Sequence, residues 1–543
     1  MAGVIQQTIV YHSDNNFISE YRHANPTLGT GFYESKYSQH LFGEHVVDDA
    51  GFIYVTGRSG RFGGTYFPAD ATTRSISKLT PMGQVIFTKD FNDLDIVFRE
   101  LFFADNHIYG VGYRSNTVTS GGDNRGGDSL IMKLTVDLSI VWWKLLGNND
   151  STNNFTDFTG FCIDSSNNVY VSGLGHGGGS SASTAVVKYN SSGTQQWKKL
   201  INYNTGTQST SENFYADYIH IDSSDNLYLA GRTNNAGGGN KNNGTPFCNG
   251  YFLRSCHVKL DSSGSVLWKK ARRSRWTVDL GGSSSDYVGC YPHYAAGHVT
   301  GGVDSNGNLY SAQNHRSLSY IPSYTSLRSD AFSLLKLNSS GTLQWEKNFY
   351  ATNTSNTSFG TGTAVELQFD NDDNIYLAAN SNFNTTSLGS NYYPERMIIL
   401  KFNSSGVLQW ARKIARSNIA NASLHAPSIS AFKVDKNKES FTISGNFRDD
   451  NALAGTYQGF VLKLPIDGSK TGTYGNWIYS AYTGLTYSNN HPNSNVDITG
   501  VEYSTSNITS NSNNMVDRSS VSANNITITT GAHPAVNYLE NIP

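Results

Sequence analysis

Charged residues, proline, cysteine and long apolar runs are all scarce in this sequence of 543 residues. Asp, Glu, Lys and Arg make up 15% of the chain and leave a net charge of −2 at pH 7. A protein that neutralises nucleic-acid phosphates, or that binds a membrane through a polybasic patch, carries a basic surface. We therefore expect no nucleic-acid partner and no electrostatic attachment to a membrane.

The few cysteines and the short apolar runs exclude two further classes. Four cysteines are too few for a disulfide framework in a chain of this length. No window approaches the roughly 18 consecutive apolar residues of a membrane-spanning helix, so we expect no membrane span. The residues from Met1 to Thr8 lack the basic segment and apolar core of a secretion signal. We expect a chain that is made in a cytosol.

Glycine, Asn, Ser, Thr and aromatic residues are plentiful instead. Glycine occurs 53 times against 12 prolines, and Phe, Trp and Tyr form 12% of the chain. The composition is rich in turn formers, and its aromatic residues supply the burial that disordered chains lack. It indicates a folded protein with many short turns.

A lysine followed by an aromatic residue recurs seven times. In six copies the aromatic residue follows nine positions later, and in the seventh the segment from Asp467 to Tyr474 lengthens the turn. The lysines are Lys78, Lys133, Lys188, Lys259, Lys336, Lys401 and Lys463, and the aromatic residues are Phe87, Trp142, Trp197, Trp268, Trp345, Trp410 and Trp477.

A second pattern precedes these lysines: an Asp with an aromatic residue six positions later. The pairs are Asp48 and Tyr54, Asp164 and Tyr170, Asp222 and Tyr228, Asp304 and Tyr310, Asp370 and Tyr376, and Asp435 and Phe441. The second repeat keeps Tyr109 but has Phe103 in place of the Asp. Asn, Asp, Ser and Gly between the apolar runs form tight turns at low steric cost. Each repeat therefore predicts two hairpins, or four short strands.

Seven four-stranded sheets that are apolar on both faces are best covered by stacking radially against one another. We predict an all-β fold, a seven-bladed β-propeller of four-stranded antiparallel blades, over residues 43–480. Residues 1–42 lie outside the repeats and form an arm that could serve as a docking element. Residues 481–543 are rich in Asn, Ser and Thr and form an extension that is either β or partly disordered.

Two segments of the third repeat resemble the seven-bladed propeller repeat family known as SBBP. They are Asp-Ser-Ser-Asn-Asn-Val-Tyr-Val-Ser-Gly from residue 164 and Val-Lys-Tyr-Asn-Ser-Ser-Gly-Thr-Gln-Gln-Trp from residue 187. The resemblance covers about four fifths of the chain. It implies the fold and little about activity, because propellers serve in binding, scaffolding and catalysis alike.

The constant spacings predict short turns on one face of the disc and variable loops on the other. The longest loops fall around the fourth and fifth blades, and loops on a rigid scaffold commonly carry function. Aromatic and Arg side chains there suit sugar stacking or a protein interface, although they could simply pack the loops onto the disc. The candidate binding residues are Arg272, Arg273, Arg275, Trp276, Tyr287, Tyr291, His293, Tyr294, His315, Tyr320 and Tyr324.

The repeated lysines admit two interpretations. They could form a ring of positive charge that faces a polyanion, or each could pair with the Asp of the first turn in its blade. We favour the structural interpretation, because long lysine stems cover apolar surface while the ammonium finds a carboxylate or carbonyl. The repeated tryptophans are likewise interpreted as packing between blades.

We expect no metal and no cofactor. The segment from Asp370 to Asn374 resembles a calcium loop but lacks the bidentate Glu at the twelfth position. Cys248, Cys256 and Cys290 lie near His257 and His293 in sequence, but without the close cysteine pairs of a zinc site. A disulfide between Cys248 and Cys256 would need oxidising conditions.

No catalytic motif occurs, so the sequence predicts a protein that is not an enzyme. Its composition resembles that of virion proteins of tailed bacteriophages, which implies a structural or adhesive component of a tail, fibre or capsid, located in the virion. The implied partners are other virion proteins and a host surface glycan. One alternative is a bacterial surface or secreted propeller that binds polysaccharide or protein. Another is a glycan-active propeller enzyme.

Overall fold

The computed structural model describes the strands, their tight turns and short parts of the remaining chain. The described residues are 16–22, 38–61, 73–91, 96–115, 127–148, 157–176, 182–201, 213–235, 252–272, 276–278, 287–289, 300–315, 331–351, 363–380, 397–416, 427–435, 439–448, 457–482, 485–488, 500–501, 515–517, 528–530 and 535–542.

Seven antiparallel sheets each contain a four-stranded blade, and in six of them the four strands follow one another in the chain as a meander. Blade 1 is formed by β2 (Ser38–Val47), β3 (Ile53–Arg61), β4 (Thr73–Leu79) and β5 (Val85–Phe91). Blade 2 is formed by β6 (Ile96–Ala104), β7 (His107–Ser115), β8 (Gly127–Thr135) and β9 (Ile140–Asn148). Blade 3 is formed by β10 (Asp157–Ile163), β11 (Val169–His176), β12 (Ala182–Tyr189) and β13 (Gln195–Ile201).

The remaining blades follow the same plan. Blade 4 is formed by β14 (Asn213–Ile221), β15 (Leu227–Asn235), β16 (Phe252–Leu260) and β17 (Val266–Arg272). Blade 5 is formed by β20 (Thr300–Val303), β21 (Leu309–His315), β22 (Ala331–Leu337) and β23 (Leu343–Ala351). Blade 6 is formed by β24 (Thr363–Phe369), β25 (Ile375–Asn380), β26 (Met397–Phe402) and β27 (Leu408–Arg416). Blade 7 is formed by β28 (Ser428–Asp435), β29 (Ser440–Arg448), β30 (Tyr457–Pro465) and β1 (Asn16–Arg22).

The first strand of every blade contacts the first strand of the next. The contacts run in order through β2, β6, β10, β14, β20, β24 and β28, and β28 contacts β2 again. The ring is therefore closed, with these seven strands around its axis. The predicted all-β, seven-bladed propeller is confirmed.

Blade 7 is completed by β1, a strand from the start of the chain. The blade-7 lysine, Lys463, pairs with Phe17 of β1, just as Lys401 pairs with Trp410 in blade 6. The structure thus differs from the repeat pattern, which placed residues 1–42 outside the propeller and gave Trp477 the seventh aromatic position. Local spacing could not reveal the pairing, because the fourth strand comes from the opposite end of the chain.

The seventh blade also departs from the repeat in its inner half. Lys463 pairs with Thr442, whereas Lys401 pairs with the repeat tyrosine Tyr376. Thr442 and not Phe441 therefore occupies the tyrosine position of blade 7. One residue of offset in a strand exchanges its two faces, so Phe441 turns to the other side and is fully buried.

The repeated aromatic residues seal the seams between blades. The ring of Trp142 in blade 2 lies against Gly193 in the last hairpin turn of blade 3, and its Nε1 donates to the carbonyl of Ser191 over 3.1 Å. Trp197, Trp268, Trp345 and Trp410 meet Gly264, Gly341, Gly406 and Gly468 of the following blade in the same way. Phe17 meets Gly83 of blade 1, so the same contact joins the last blade to the first.

Short strands from the end of the chain add to the outer edges of six blades. We call them the C-terminal belt: β31 (Gly472–Tyr474), β32 (Trp477–Ala481), β33 (Leu485–Ser488), β34 (Gly500–Val501), β35 (Met515–Asp517), β36 (Ile528–Thr530) and β37 (Ala535–Ile542). Strands β31 and β32 extend blade 6, and β33, β34, β35, β36 and β37 extend blades 5, 4, 2, 1 and 7 in that order. In the described residues, blade 3 has four strands only.

The described part of the chain contains no helix that is both long and apolar enough to cross a membrane.

Candidate functional site

Three glutamates occupy equivalent places on the strands that surround the axis. Glu44, Glu100 and Glu366 each lie two residues before the residue that pairs with the repeat tyrosine of their blade. The pairing register shifts at this point in β2, β6 and β24. Such a β-bulge twists a strand and re-aims its side chains. The sequence therefore places three carboxyl groups at one level of the ring.

Lys433 of β28 lies among these carboxyl groups. Its Nζ forms a close salt bridge with Glu366 Oε1 and lies 3.7 Å from Glu100 Oε1. Glu366 is in blade 6 and Glu100 in blade 2, so the lysine of blade 7 links strands that are not ring neighbours. We call Glu44, Glu100, Glu366 and Lys433 the axial cluster.

The second oxygen of Glu366 is fixed by the backbone. The amide N–H of Phe432 donates to Glu366 Oε2 over 2.8 Å, and Gln368 Nε2 donates to Oε1 over 2.7 Å. The carboxylate of Glu366 thus has a lysine, a backbone amide and a side-chain amide as partners. These three partners hold the Glu366 carboxylate in one orientation.

The pKa values of the other two glutamates, Glu44 and Glu100, are raised. Burial raises the pKa of Glu100 to about 8, against the lowering effect of nearby Lys433. Burial also raises the pKa of Glu44 well above its usual range, again opposed by Lys433. Burial opposes the charge of Lys433, yet the attraction of Glu366, Glu100 and Glu44 raises the pKa of this lysine. The axial cluster therefore holds a salt bridge between Lys433 and Glu366 beside two carboxyl groups whose pKa is raised.

The groups next to the axial cluster are either uncharged, as His45 is, or bound to an opposite charge, as Arg99 is. His45 Nδ1 and Nε2 lie 2.8 Å from Ser444 Oγ and Thr442 Oγ1 of blade 7, and burial lowers the pKa of His45 to about 3. Arg99, next to Glu100, donates from Nε to Asp157 Oδ2 over 2.8 Å. Both described cations near Glu100, Arg99 and Lys433, therefore contact carboxylates.

The axial cluster is suited to acid–base chemistry. Glu100, with its pKa raised to about 8, is able to donate a proton, Glu366 is held in one orientation, and both contact the same ammonium group. Sites that cleave glycosidic bonds use two carboxyl groups about 5 to 9.5 Å apart, held in different protonation states. The side chains of Glu100, Glu366 and Lys433 remain 24%, 13% and 13% exposed, so the axial cluster is reached from solvent mainly at Glu100.

The structure describes part of the long-loop region around blades 4 and 5. Trp276 begins β18 (Trp276–Val278) and Tyr287 begins β19 (Tyr287–Gly289), and the two strands form a separate hairpin in which Val278 pairs with Tyr287. Arg272 and His315 are the last residues of β17 and β21. Arg273, Arg275, Tyr291, His293, Tyr294, Tyr320 and Tyr324 lie outside the described residues.

The repeated lysines lie at the seams between blades, away from the axial cluster. Five of them pair with a first-turn Asp at Nζ to Oδ2 distances of 2.7 to 3.6 Å: Lys133, Lys188, Lys259, Lys336 and Lys401. Lys78 donates to the carbonyl of Val136 in blade 2, and Lys463 is buried. In blade 2 the Asp is Asp105, four residues before Tyr109, and the first turn is one residue shorter than in blade 1, since Phe102 pairs with Tyr109 whereas Val46 pairs with Tyr54.

The candidate metal ligands of the sequence have other roles or lie outside the described residues. The carboxylate of Asp370 accepts hydrogen bonds from the backbone of Asp372, from Asn374 and from the Tyr376 hydroxyl. Cys256 is buried in β16, whereas Cys248, Cys290 and His293 are not described. Within the described ranges, no group of three or more His, Cys, Asp or Glu side chains is arranged to hold a metal ion.

Sequence reasoning missed the axial cluster. Glu44 and Glu366 both stand four residues before the first-turn Asp of their repeats, and this shared spacing was a usable signal. Glu100 escapes the rule because the first turn of blade 2 is shorter. Lys433 could not be assigned, because only ring closure brings blade 7 beside blade 1.

Comparison with known proteins finds similar solved structures but no similar sequences. No protein family and no curated protein matches this chain. Among solved structures, polysaccharide lyase Uly1 is similar with 11% identity and a TM-score of 0.44, over 84% of this chain and 98% of the lyase. A PL25 ulvan lyase has 11% identity and a TM-score of 0.43, over 75% and 92% of the two chains. A DUF4221 protein from Bacteroides vulgatus has 14% identity and a TM-score of 0.36, over 67% and 91%.

These structures correct one expectation. The sequence predicted a protein that is not an enzyme, because it shows no catalytic motif. Two of the three similar structures are named as polysaccharide lyases, and the expectation that this chain is not an enzyme is withdrawn. None of the three is named as a virion protein.

Proposed function

We propose that this chain is a glycan-active propeller in which the axial cluster cleaves a polysaccharide by acid–base catalysis. The observation that carries the proposal is the contact of Lys433 with the carboxyl groups of Glu366 and Glu100, of which Glu100 has its pKa raised to about 8. Strongly perturbed carboxyl groups beside a specific charge partner are typical of catalytic sites.

In this proposal Glu100 is the general acid. It gives its proton to the glycosidic oxygen as the bond between that oxygen and the anomeric carbon breaks. The carboxylate of Glu366 stabilises the positive charge that develops on the sugar ring. Water then adds to the anomeric carbon and returns a proton to Glu100. Lys433 orients both carboxyl groups.

The hairpin between blades 4 and 5 supports a role in binding the polymer. Its two strands carry Trp276 and Tyr287 close to Arg272 in sequence. Aromatic residues provide large contact areas with little loss of conformational entropy. In the proposed function this hairpin binds the chain of sugars.

The test is release of reducing ends from a panel of neutral and acidic polysaccharides. We expect the wild-type protein to release oligosaccharides, and Glu100→Gln and Glu366→Gln each to slow the release by at least about 100-fold. Glu439→Gln is the matched control, because Glu439 is an exposed residue of the first turn of blade 7 and is not part of the axial cluster. Wild-type rates in both axial variants, or no release by the wild type from any polymer, would contradict the proposal.

A second candidate is a propeller that binds polysaccharide without cleaving it. The limited exposure of Glu366 and Lys433 favours this candidate, because a polymer must contact these side chains to be cleaved. Binding that is lost in Trp276→Ala while no oligosaccharide is released would support it. A location in a virion, with virion proteins as partners, stays a prediction that mass spectrometry of purified particles would test.

A further inference from the structure

The strand that closes the ring has neighbours on both sides. Phe17 to Tyr21 of β1 pair with Gly459 to Lys463 of β30. On its other side β1 pairs with the last strand of the C-terminal belt, from Asn16 opposite Ile542 to Arg22 opposite Ala535. The first and last described strands of the chain therefore lie side by side in one sheet.

The belt reaches this position by travelling around the disc against the order of the blades. It adds strands to blades 6, 5, 4, 2 and 1 before β37 arrives at blade 7. Strand β37 is also the longest strand of the belt, with eight residues. The longest strand of the belt thus pairs with the one strand that closes the ring.

The geometry has a mechanical consequence for ring opening. Opening requires β1 to leave, which exposes Phe17 and Ile18, both fully or almost fully buried. With β30 as its only neighbour, β1 would be a seven-residue edge strand with one row of hydrogen bonds. With β37 in place, two rows of hydrogen bonds must break.

We propose that β37 is a latch that holds the ring-closing strand and sets the rate at which the propeller opens. The latch acts on the opening rate, and the seams between the other blades do not depend on it. Release of β37 precedes release of β1, and release of β1 precedes separation of blade 7 from blade 1.

The test compares proline substitutions in two consecutive residues of β37, Leu539 and Glu540, which pair with Ser19 and Ile18. One of the two amides points toward β1 and the other away from it, because amide direction alternates along a strand. Thr486→Pro in β33, opposite Tyr350 of blade 5, is the control in another belt strand.

We expect one of the two β37 variants to raise hydrogen exchange in β1 and the global unfolding rate in denaturant at least about tenfold. The control should raise exchange only in β23 and leave the unfolding rate within about threefold. Unchanged exchange in β1 in both β37 variants would overturn the latch.

A disulfide variant covers the case in which the proline variants do not fold. Ser19→Cys with Leu539→Cys places two thiols at paired positions of neighbouring strands. The oxidised form should unfold at least about tenfold more slowly than the reduced form of the same protein. Equal unfolding rates of the two forms would overturn the proposal.

Discussion

Lys463 and Phe17 face each other across β30 and β1, although they lie near opposite ends of the chain. The pair repeats the contact between lysine and aromatic residue of the other six blades, so the seventh blade is equivalent to them only when the N-terminal strand is in place. Phe17 also packs on Gly83 of blade 1. One side chain thus completes a blade and closes the ring.

Phe17→Ala should destabilise the propeller strongly. The side chain is fully buried at the closing seam, and a buried Phe replaced by Ala costs about 3 to 5 kcal/mol. Ile86→Ala is the control, because Ile86 is 41% exposed on blade 1. Denaturant unfolding followed by tryptophan fluorescence measures both. A loss below about 1 kcal/mol in Phe17→Ala would show that β1 does not close the ring.

Gly193→Ala should cost more than Gly51→Ala. Both glycines have a positive φ, +80° and +89°, so the backbone strain is similar. A Cβ at Gly193 would lie 2.8 Å from the ring of Trp142, whereas the nearest atom to a Cβ at Gly51 is 3.5 Å away. Overpacking predicts an extra loss of about 1 to 3 kcal/mol in the unfolding free energy. Equal losses would mean that the tryptophan does not rest on this turn.

Glu100→Gln should remove a pH dependence of stability. The folded state raises the pKa of Glu100 from 4.5 to about 8, so folding favours the protonated acid. The contribution of this group is most favourable below pH 4.5 and is lost as pH rises toward 8. The Gln variant should therefore lose less stability than wild type between pH 5 and pH 8.

The pH titration is measured as denaturation midpoints at fixed ionic strength. Glu439→Gln serves as the control and should follow the wild-type curve. Parallel curves for wild type and Glu100→Gln would contradict the raised pKa of Glu100.

The proposed cleavage should slow at alkaline pH. A general acid works only while protonated, so the rate should fall above about pH 8, the pKa of Glu100. Initial rates of oligosaccharide release across pH 5 to 10 give the profile. A rate that keeps rising beyond pH 9 would rule out Glu100 as the proton donor.

The repeat spacing was sufficient to predict seven blades and their turns, because both depend on residues close in sequence. Asp222, Tyr228 and Lys259, for instance, all belong to blade 4, where the Asp222 carboxylate contacts both the Tyr228 hydroxyl and the Lys259 ammonium group. Strand pairing between segments that are distant in sequence does not show in the spacing of neighbouring residues. That is why Phe17 was missed and Trp477 was placed in the wrong blade.

The candidate site was less predictable than the fold. The axial cluster gathers residues from four blades, and only a closed ring brings Lys433 to Glu100. The loop residues were selected for their chemical type, and the structure places Trp276 and Tyr287 on one hairpin. Position relative to the axis, which decides what a charged side chain contacts, depends on tertiary structure alone.

The most direct test of the proposed function is a crystal structure of Glu366→Gln soaked with an oligosaccharide that binds the wild-type protein. We expect electron density for a sugar at the axis, with its glycosidic oxygen within hydrogen-bond distance of the Glu100 carboxyl group. Sugar density confined to the hairpin of Trp276 and Tyr287, with Lys433 still in contact with Glu100, would contradict the proposed function.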